Sequence, residues 1–178
     1  APTDRVIIGW VGVHGNLHYL KRLESVFQKL CAEFPDVYLK IVSNDFIDMS
    51  GVRIIKERWT LDTEIEALRS FDIGIMPLDD TLWARGKCGY KILQYMGVGV
   101  PAVASPVGIN SEFIRHGETG FLASTPEDWH KALKVLVAER QTRQVFGLKG
   151  RGLVEQYYSQ DYFAAQYLKV FRETANLV

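Results

Sequence analysis

The stretch that decides the fold of this 178-residue chain is IGIMPLDDTLWARGKCGYKILQYMGVGVPAVASP, residues 73–106. It begins with a short apolar run, Ile73–Met76, closed by a proline, which is typical of a strand buried on both faces. A glycine-containing basic loop follows, then an amphipathic helix over 90–96, and then a second buried strand over 101–104. A strand, a helix and a strand in this order predict a βαβ unit with parallel strands.

The same alternation extends in both directions along the chain. The pattern predicts further strands over Val6–Val11, 37–42, 52–56 and Gly120–Leu122. It predicts helices over 17–34, from a cap at Thr60 or Asp62 to about 70, and over 125–138, 141–157 and 160–176. The predicted fold class is therefore α/β: a three-layer, Rossmann-like domain with a mostly parallel sheet of about six strands, helices on both faces and a helical C-terminus.

Composition excludes several classes of function. Lys plus Arg and Asp plus Glu both number 21, so the formal net charge is zero, which does not suit a nucleic-acid partner. No apolar run approaches the roughly 20 residues of a membrane span, and no signal peptide precedes Val6. Cys31 and Cys88 make neither a disulfide framework nor a zinc cluster, which favours a reducing, cytoplasmic location.

The start of the chain suggests that it comes from a longer polypeptide. It lacks an initiator Met and enters a strand almost at once. We expect residues 1–178 to form one domain with a further segment N-terminal to it; a processed N-terminus is the alternative.

Two loops at the carboxyl ends of strands, where ligands of parallel sheets bind, are candidates for chemistry. Gly12 lies in the first of them, before a helix that Asn16 is predicted to cap. In the second, three cations surround the start of a helix: Arg85, Lys87 and Lys91. Cations there lose about 0.3–1 kcal/mol each to the helix dipole, and a bound polyanion would offset that loss. A phosphate site is predicted; a solvated basic loop and ordinary turn glycines are the alternatives.

Residues 85–122, RGKCGYKILQYMGVGVPAVASPVGINSEFIRHGETGFL, resemble the donor-binding core of the retaining GT-B glycosyltransferases of family 4. The segments 72–78 and 125–129 fit the same pattern. A Gly-Val-Pro turn, a Val-Gly before a Glu and a Gly-Glu-Thr-Gly-Phe-Leu turn together make the resemblance specific. It implies two Rossmann-like domains that face each other across a cleft, and this chain resembles only the C-terminal, donor-binding one, without the N-terminal acceptor domain.

The resemblance also implies where a UDP-sugar or GDP-sugar donor would bind. The contacts are Gly12 on the phosphate side, Arg58 and Trp59 at the base, Gln94 at the ribose, and Gly86, Lys87, Cys88, Gly89 and Tyr90 at the diphosphate and sugar. Many members carry glutamates where this chain has Gly86 and Gln94, and their usual Arg and Lys near the first strand are missing. Lys87, with Arg85 or Lys91, would then stabilise the leaving diphosphate, and Asp79 or Asp80 would replace the missing carboxylate.

The implied reaction is transfer of the donor sugar to an acceptor with retention, in glycan biosynthesis, with neither a metal ion nor another cofactor. The partner would be the N-terminal domain of the same polypeptide, which would also carry any peripheral membrane contact. The isolated chain is therefore expected to be inactive. Two alternatives remain open: a nucleotide-sugar epimerase of the same fold, and a non-catalytic module that binds nucleotide sugars.

Other conspicuous side chains have simpler interpretations. His14 and His18 are four residues apart but belong to a loop and a helix start, so no metal site is predicted. Trp83 either stacks on a sugar or anchors its loop. The aromatic residues of 157–171 are predicted to pack between helices, unless the last helix crosses to the other domain and leaves them exposed.

Overall fold

A computed structural model describes residues 5–175 and contains one six-stranded sheet in the order β3-β2-β1-β4-β5-β6. All neighbouring strands are parallel. The strands are β1 (Val6–Val11), β2 (Val37–Ser43), β3 (Ile54–Arg58), β4 (Ile73–Met76), β5 (Ala102–Ala104) and β6 (Gly120–Leu122). The predicted α/β class and strand number are confirmed.

The third strand differs most from its predicted bounds, 52–56, while β2 and β5 each differ by one residue. The third strand begins at Ile54 rather than at Val52, because Gly51 adopts a φ of 72° and the Val52 N–H bonds back to the Met49 carbonyl. Because of that turn the chain joins the sheet two residues later than predicted, and the strand ends at Arg58.

Nine α-helices surround the sheet within residues 5–175: α1 (Leu17–Lys21), α2 (Glu24–Glu33), α3 (Glu64–Arg69), α4 (Leu82–Arg85), α5 (Tyr90–Gly97), α6 (Asn110–Phe113), α7 (Pro126–Ala138), α8 (Arg140–Tyr157) and α9 (Gln160–Ala175). None of these described helices is both long and apolar enough to span a bilayer. The predicted capping of α7 is confirmed, since Thr125 and Asp128 form a reciprocal capping box.

The single helix predicted over 17–34 is wrong, because two helices occupy that segment. Between them the Leu23 N–H bonds to the Leu20 carbonyl, three residues back, so the helix tightens and restarts at Glu24. The predicted cap at Asn16 is also wrong: its side chain makes no capping bond to α1 and binds elsewhere. Helix α4 was not predicted; the Thr81 hydroxyl caps it by accepting from the Ala84 N–H at 3.1 Å.

The two faces of the sheet carry separate apolar cores. Helices α2 and α7 cover one face, where the fully buried side chains include Ile8, Leu20, Leu30, Leu39, Ile41 and Leu133. Helices α3 and α5 cover the other face with Leu68, Ile92, Tyr95 and Met96. This confirms the predicted three layers.

Strands β1 and β4 leave a crevice at the carboxyl edge of the sheet. They are paired only at Ile8 with Ile73 and at Gly9 with Gly74, whereas β1 pairs with β2 along its whole length. The buried Tyr95 hydroxyl fills the gap beyond that pairing: it accepts from the Val11 N–H and donates to the Ile75 carbonyl, both at 3.3 Å. The strand order reverses here, which is where ligands of open α/β sheets bind.

Helix α9 projects an aromatic surface instead of burying it. Tyr162, Phe163, Tyr167 and Phe171 are exposed and contact one another, with ring centroids 5.4–6.5 Å apart. Tyr162 packs edge-on against Tyr157 of α8, with ring centroids 6.2 Å apart, so the predicted packing between helices is confirmed there and is wrong for Phe163, Tyr167 and Phe171. Before that helix Tyr158 does pack, edge-on against Phe113 at 5.1 Å. Residue 176, included in the predicted helix, lies outside the described residues.

Candidate functional site

A cavity of about 590 Å³ opens over the carboxyl ends of β1, β2 and β4, facing the start of α5. That volume lies in the ordinary range for a small-molecule site. Its lining combines backbone-rich segments with a few polar and aromatic side chains: Val11, Gly12, Val13, Asn44, Trp59, Glu64, Met76, Gly86, Lys87, Cys88, Gly89, Tyr90, Lys91 and Gln94.

The structure brings together most of the residues predicted to contact a donor. Eight of them line this one cavity: Gly12, Trp59, Gly86, Lys87, Cys88, Gly89, Tyr90 and Gln94. Arg58, the ninth, is the exposed last residue of β3 and does not line it. The residues come from three separate segments, which follow β1, β3 and β4, and it is the parallel sheet that places those segments side by side.

The floor of the cavity requires glycine at position 12. A Cβ on Gly12 would lie 2.2 Å from the Trp10 ring, which is itself buried in the core. The Gly12 N–H bonds to the Val42 carbonyl at 3.1 Å and continues the β1–β2 ladder. The backbone there is therefore fixed and uncovered by a side chain, so a ligand can approach it closely.

Gly89 sets the direction of α5. It precedes the helix in the left-handed region, with a φ of 64°. A Cβ there would also lie 2.6 Å from the Phe113 ring and 2.8 Å from Ile109. Only glycine lets the chain turn here and aim the free N–H groups of the helix N-terminus at the cavity.

The ammonium of Lys87 is held at the cavity from two sides. It donates to the Asn16 Oδ1 at 2.9 Å and lies 5.4 Å from the centre of the Tyr19 ring. Both partners follow β1, so this contact joins the loops after β1 and β4 across the crevice. Lys87 has no carboxylate partner among residues 5–175, which leaves its positive charge available to a ligand.

Lys91 adds a second cation to the same cavity. Desolvation of its half-buried side chain lowers its pKa, and repulsion from Lys87 lowers it further, while Cys88 acts in the opposite direction. Within the described part of the chain, Lys91 forms neither an ion pair nor a side-chain hydrogen bond. Two neighbouring cations without an ion-pair partner among the described residues favour an anion at this end of the cavity.

A carboxylate that sequence reasoning missed lies in the same cavity. The Trp59 indole N–H donates to the Glu64 Oε1 at 3.0 Å, and Glu64 is the first residue of α3. No described side chain or N–H group bonds to its second oxygen, Oε2. Among the lining residues it is the single carboxylate, and an acid opening a helix gives no sequence signal that separates it from an ordinary helix start.

The other charged residues of the β4–α5 loop lie outside the cavity. Arg85 forms a bidentate pair with Asp80, at 2.6 and 2.9 Å, and hydrogen bonding from Arg85 lowers the pKa of Asp80. Asp79 pairs with the Arg22 guanidinium. None of the three predicted substitutes, Arg85, Asp79 or Asp80, lines the cavity. Gly86 does, and a Cβ there would have ordinary contacts, the nearest at 3.5 Å.

The remaining candidates are dispersed. His14 lies 3.7 Å from Asp45 on the surface, and residues 5–175 contain no group of three His, Cys, Asp or Glu side chains arranged to hold a metal ion. The expectation of a metal-independent reaction stays a prediction. Trp83 is 82% exposed, so it does not anchor its loop by packing. Cys31 is buried and Cys88 exposed, and both are free thiols.

Known proteins share this sequence pattern and fold. Residues 5–139 match the family described as glycosyl transferases group 1. Glycosyltransferase 1 domain-containing protein 1 of Xenopus tropicalis is 30% identical over 134 residues, which are 68% of this chain and 37% of that protein. The chain thus spans little more than a third of that relative's length.

Two solved structures are similar over most of the chain. The C-terminal domain of the glycosyl transferase group 1 family protein LpcC from Francisella tularensis has a TM-score of 0.69 and 17% identity, with 87% of each chain covered. Anabaena Alr3699/HepE, solved in complex with UDP and glucose, has a TM-score of 0.75 and 15% identity over 96% of this chain and 49% of that chain.

The predicted GT-B C-terminal-domain fold is confirmed by these likenesses. The family match covers most of residues 5–175 and agrees with the strand order of the sheet. The chain therefore belongs to the glycosyl transferases group 1 family.

Proposed function

We propose that this chain is the donor-binding half of a glycosyltransferase that binds a nucleoside-diphosphate sugar in the cavity over β1 and β4. The observation that carries the proposal is the pair Lys87 and Lys91, which share the cavity without a carboxylate partner among residues 5–175. Beside them the N-terminus of α5 begins at the left-handed Gly89. A diphosphate supplies the negative charge that this arrangement lacks.

The same groups suit the chemical step. When the bond between sugar and diphosphate breaks, negative charge grows on the departing phosphate oxygens. Lys87, already oriented by Asn16 and Tyr19, would meet that charge without rearrangement. Asn16 acts here as a positioning residue, because it touches the lysine and not the ligand. Catalysis in this proposal is positioning of the donor plus stabilisation of the leaving group, with retention at the sugar and no metal ion.

The acceptor would be bound by a second domain of the same polypeptide. The aromatic residues of α9, exposed in this chain, form a surface that suits an intramolecular partner. We propose that α9 packs on the N-terminal domain. We also propose that the enzyme acts in glycan synthesis in a reducing cytoplasmic compartment. Because the acceptor-binding domain is needed for transfer, this chain alone should transfer no sugar.

A module that binds nucleotide sugars without transferring them is the second candidate. Gly86 favours it, because no carboxylate stands where the resemblance implies one, and neither Asp79 nor Asp80 lines the cavity. An epimerase has less support, since no histidine is among the residues that line the cavity. Transfer by the two-domain polypeptide would separate the transferase from the module.

Calorimetric titration with UDP, GDP and their sugar conjugates tests the proposal. We expect Lys87→Met to weaken diphosphate binding roughly tenfold or more, on the order of the 1.5–3 kcal/mol of a charge-assisted hydrogen bond. Asn16→Ala should weaken it less, by a few-fold, because the ammonium remains but is no longer held.

Lys149→Met is the matched control, since Lys149 is an exposed residue of α8 that does not line the cavity, and its replacement removes the same charge. Equal loss of affinity in Lys87→Met and Lys149→Met would show that binding follows net charge and not this cavity. Absence of binding by any nucleoside diphosphate to the unmodified chain would refute the proposal.

A further inference from the structure

The two ends of the cavity differ in charge. The cations Lys87 and Lys91 lie where β1 and β4 diverge, whereas Glu64 follows β3. In the sheet β3 is separated from β1 by β2, so it lies two strand spacings, about 10 Å, to one side. A nucleoside diphosphate bound by its phosphates at the cationic end has its base directed away from them, at a comparable distance. The sheet order therefore places Glu64 at the base end.

One oxygen of the Glu64 carboxylate accepts a hydrogen bond that holds the side chain in place, and the other oxygen has no donor among the described residues. Its Oε1 accepts the Trp59 indole N–H at 3.0 Å, and Trp59 itself is tied to the sheet, because its backbone N–H bonds to the Ser43 carbonyl. Its Oε2 has no hydrogen-bond donor among residues 5–175. An ionised carboxylate is an acceptor only, so whatever binds there must present N–H or O–H donors.

The nucleobases differ in what they offer such an acceptor. Guanine presents two adjacent donors on one edge, the N1–H and the 2-amino group. Uracil presents a single N3–H flanked by two carbonyl oxygens, which a carboxylate repels. Adenine presents its amino group beside an unprotonated ring nitrogen. Of these three edges guanine's alone provides neighbouring donors without a neighbouring acceptor, and a charge-assisted pair of this kind is among the stronger hydrogen-bonding arrangements.

We propose that Glu64 is a specificity-determining residue that selects guanine, so that the donor is a GDP-sugar. The inference rests on the proposed function, because it needs the diphosphate at the cationic end of the cavity. The structural neighbour solved with UDP shares 15% identity with this chain and does not determine the base here.

Affinities of GDP, inosine diphosphate and UDP for the unmodified chain, measured by calorimetry at one salt concentration, test the inference. Inosine diphosphate keeps the N1–H of GDP but lacks the 2-amino group. We expect GDP to bind more tightly than inosine diphosphate, and roughly ten- to a hundredfold more tightly than UDP, as for one good bidentate pair. UDP binding as tightly as GDP would overturn the inference without touching the proposed function.

Variants of Glu64 distinguish a contact with the base from a contact with the ribose. Glu64→Gln should lower GDP affinity at least tenfold and leave UDP affinity within about twofold, because the lost carboxylate serves guanine alone. Glu66→Gln, an exposed change of the same charge on the same helix, should leave all three affinities unchanged. Equal weakening of GDP, inosine diphosphate and UDP by Glu64→Gln would overturn the inference, because it would place the carboxylate at the ribose that they share. No binding of any nucleotide would instead refute the proposed function.

Discussion

Replacing Gly89 with alanine tests the geometry that aims α5 at the cavity. Gly89 has a φ of 64°, and the left-handed region costs an L-residue roughly 1–2 kcal/mol. The new Cβ would lie 2.6–2.9 Å from Phe113 and Ile109, and overpacking of this kind costs about 1–3 kcal/mol. We therefore expect Gly89→Ala to lower the free energy of unfolding by about 2–5 kcal/mol.

Gly86→Ala, three residues earlier in the same loop, is the matched control. Gly86 has a φ of −78°, which any residue adopts, and its nearest Cβ contact would be at 3.5 Å. Alanine there restricts the unfolded chain without strain, so the free energy of unfolding should rise by about 0.4–1 kcal/mol. Two substitutions of identical chemistry should thus change stability in opposite directions.

Urea denaturation monitored by tryptophan fluorescence and by circular dichroism measures both variants. The midpoint should fall for Gly89→Ala and rise slightly for Gly86→Ala, with the slope unchanged in both. The variant Gly89→Ala should also bind nucleoside diphosphates more weakly, since its helix N-terminus is displaced. A loss below about 1 kcal/mol for Gly89→Ala, with unchanged affinity, would refute the view that this glycine sets the course of α5.

Two further changes are expected to act on stability. Tyr95→Phe should lower the free energy of unfolding by about 1–3 kcal/mol in the urea assay, because it leaves the buried Val11 N–H and Ile75 carbonyl unpaired. Tyr157→Phe removes the same hydroxyl at the surface and should leave the free energy of unfolding unchanged. An equal loss of stability in the two variants would contradict the role given to the Tyr95 hydroxyl. Desolvation lowers the pKa of Lys91 in the folded chain below its ordinary 10.5. At a pH between the folded-state and unfolded-state pKa the unfolded chain therefore binds more protons, so the free energy of unfolding should rise with pH over that range. Lys91→Met should be more stable than the unmodified chain at pH 7, with a difference that shrinks towards pH 10.5 in unfolding curves; a difference independent of pH would show that Lys91 does not titrate as described.

Local signals explain what the sequence predicted correctly. Strands β1 and β4 are short apolar runs closed by Gly12 and Pro77, and Thr125 begins a helix with proline and acids behind it. Gly12 and Lys87 stand at strand–helix junctions, where sheet topology alone brings loops to one edge. For that reason most of the predicted donor contacts line one cavity, although the sequence gives no distances between them.

Features that depend on which of several partners a side chain binds could not be predicted from the sequence. Asn16 is of a residue type that often caps helices, yet its side chain binds Lys87, 71 residues away. The role of Arg85 also depends on a competitor: Asp80 binds it with both carboxylate oxygens and keeps it away from the cavity. Neither choice follows from residue type, because each acceptor competes with alternatives that only the folded chain brings within reach.

The crevice between β1 and β4 is bridged at two levels, and the levels differ in what they control. At its base the Tyr95 hydroxyl joins Val11 to Ile75, fully buried from solvent. At its rim Lys87 joins the two loops through Asn16, in a position that a ligand reaches. A buried bridge cannot exchange its partners for a ligand, so its loss must appear in the free energy of unfolding. The bridge at the rim can take up a ligand without breaking, since Asn16 accepts only one hydrogen bond from the Lys87 ammonium, which has further donors for a phosphate. Stability and diphosphate affinity should therefore separate: Tyr95→Phe acts mainly on the first, and Asn16→Ala mainly on the second.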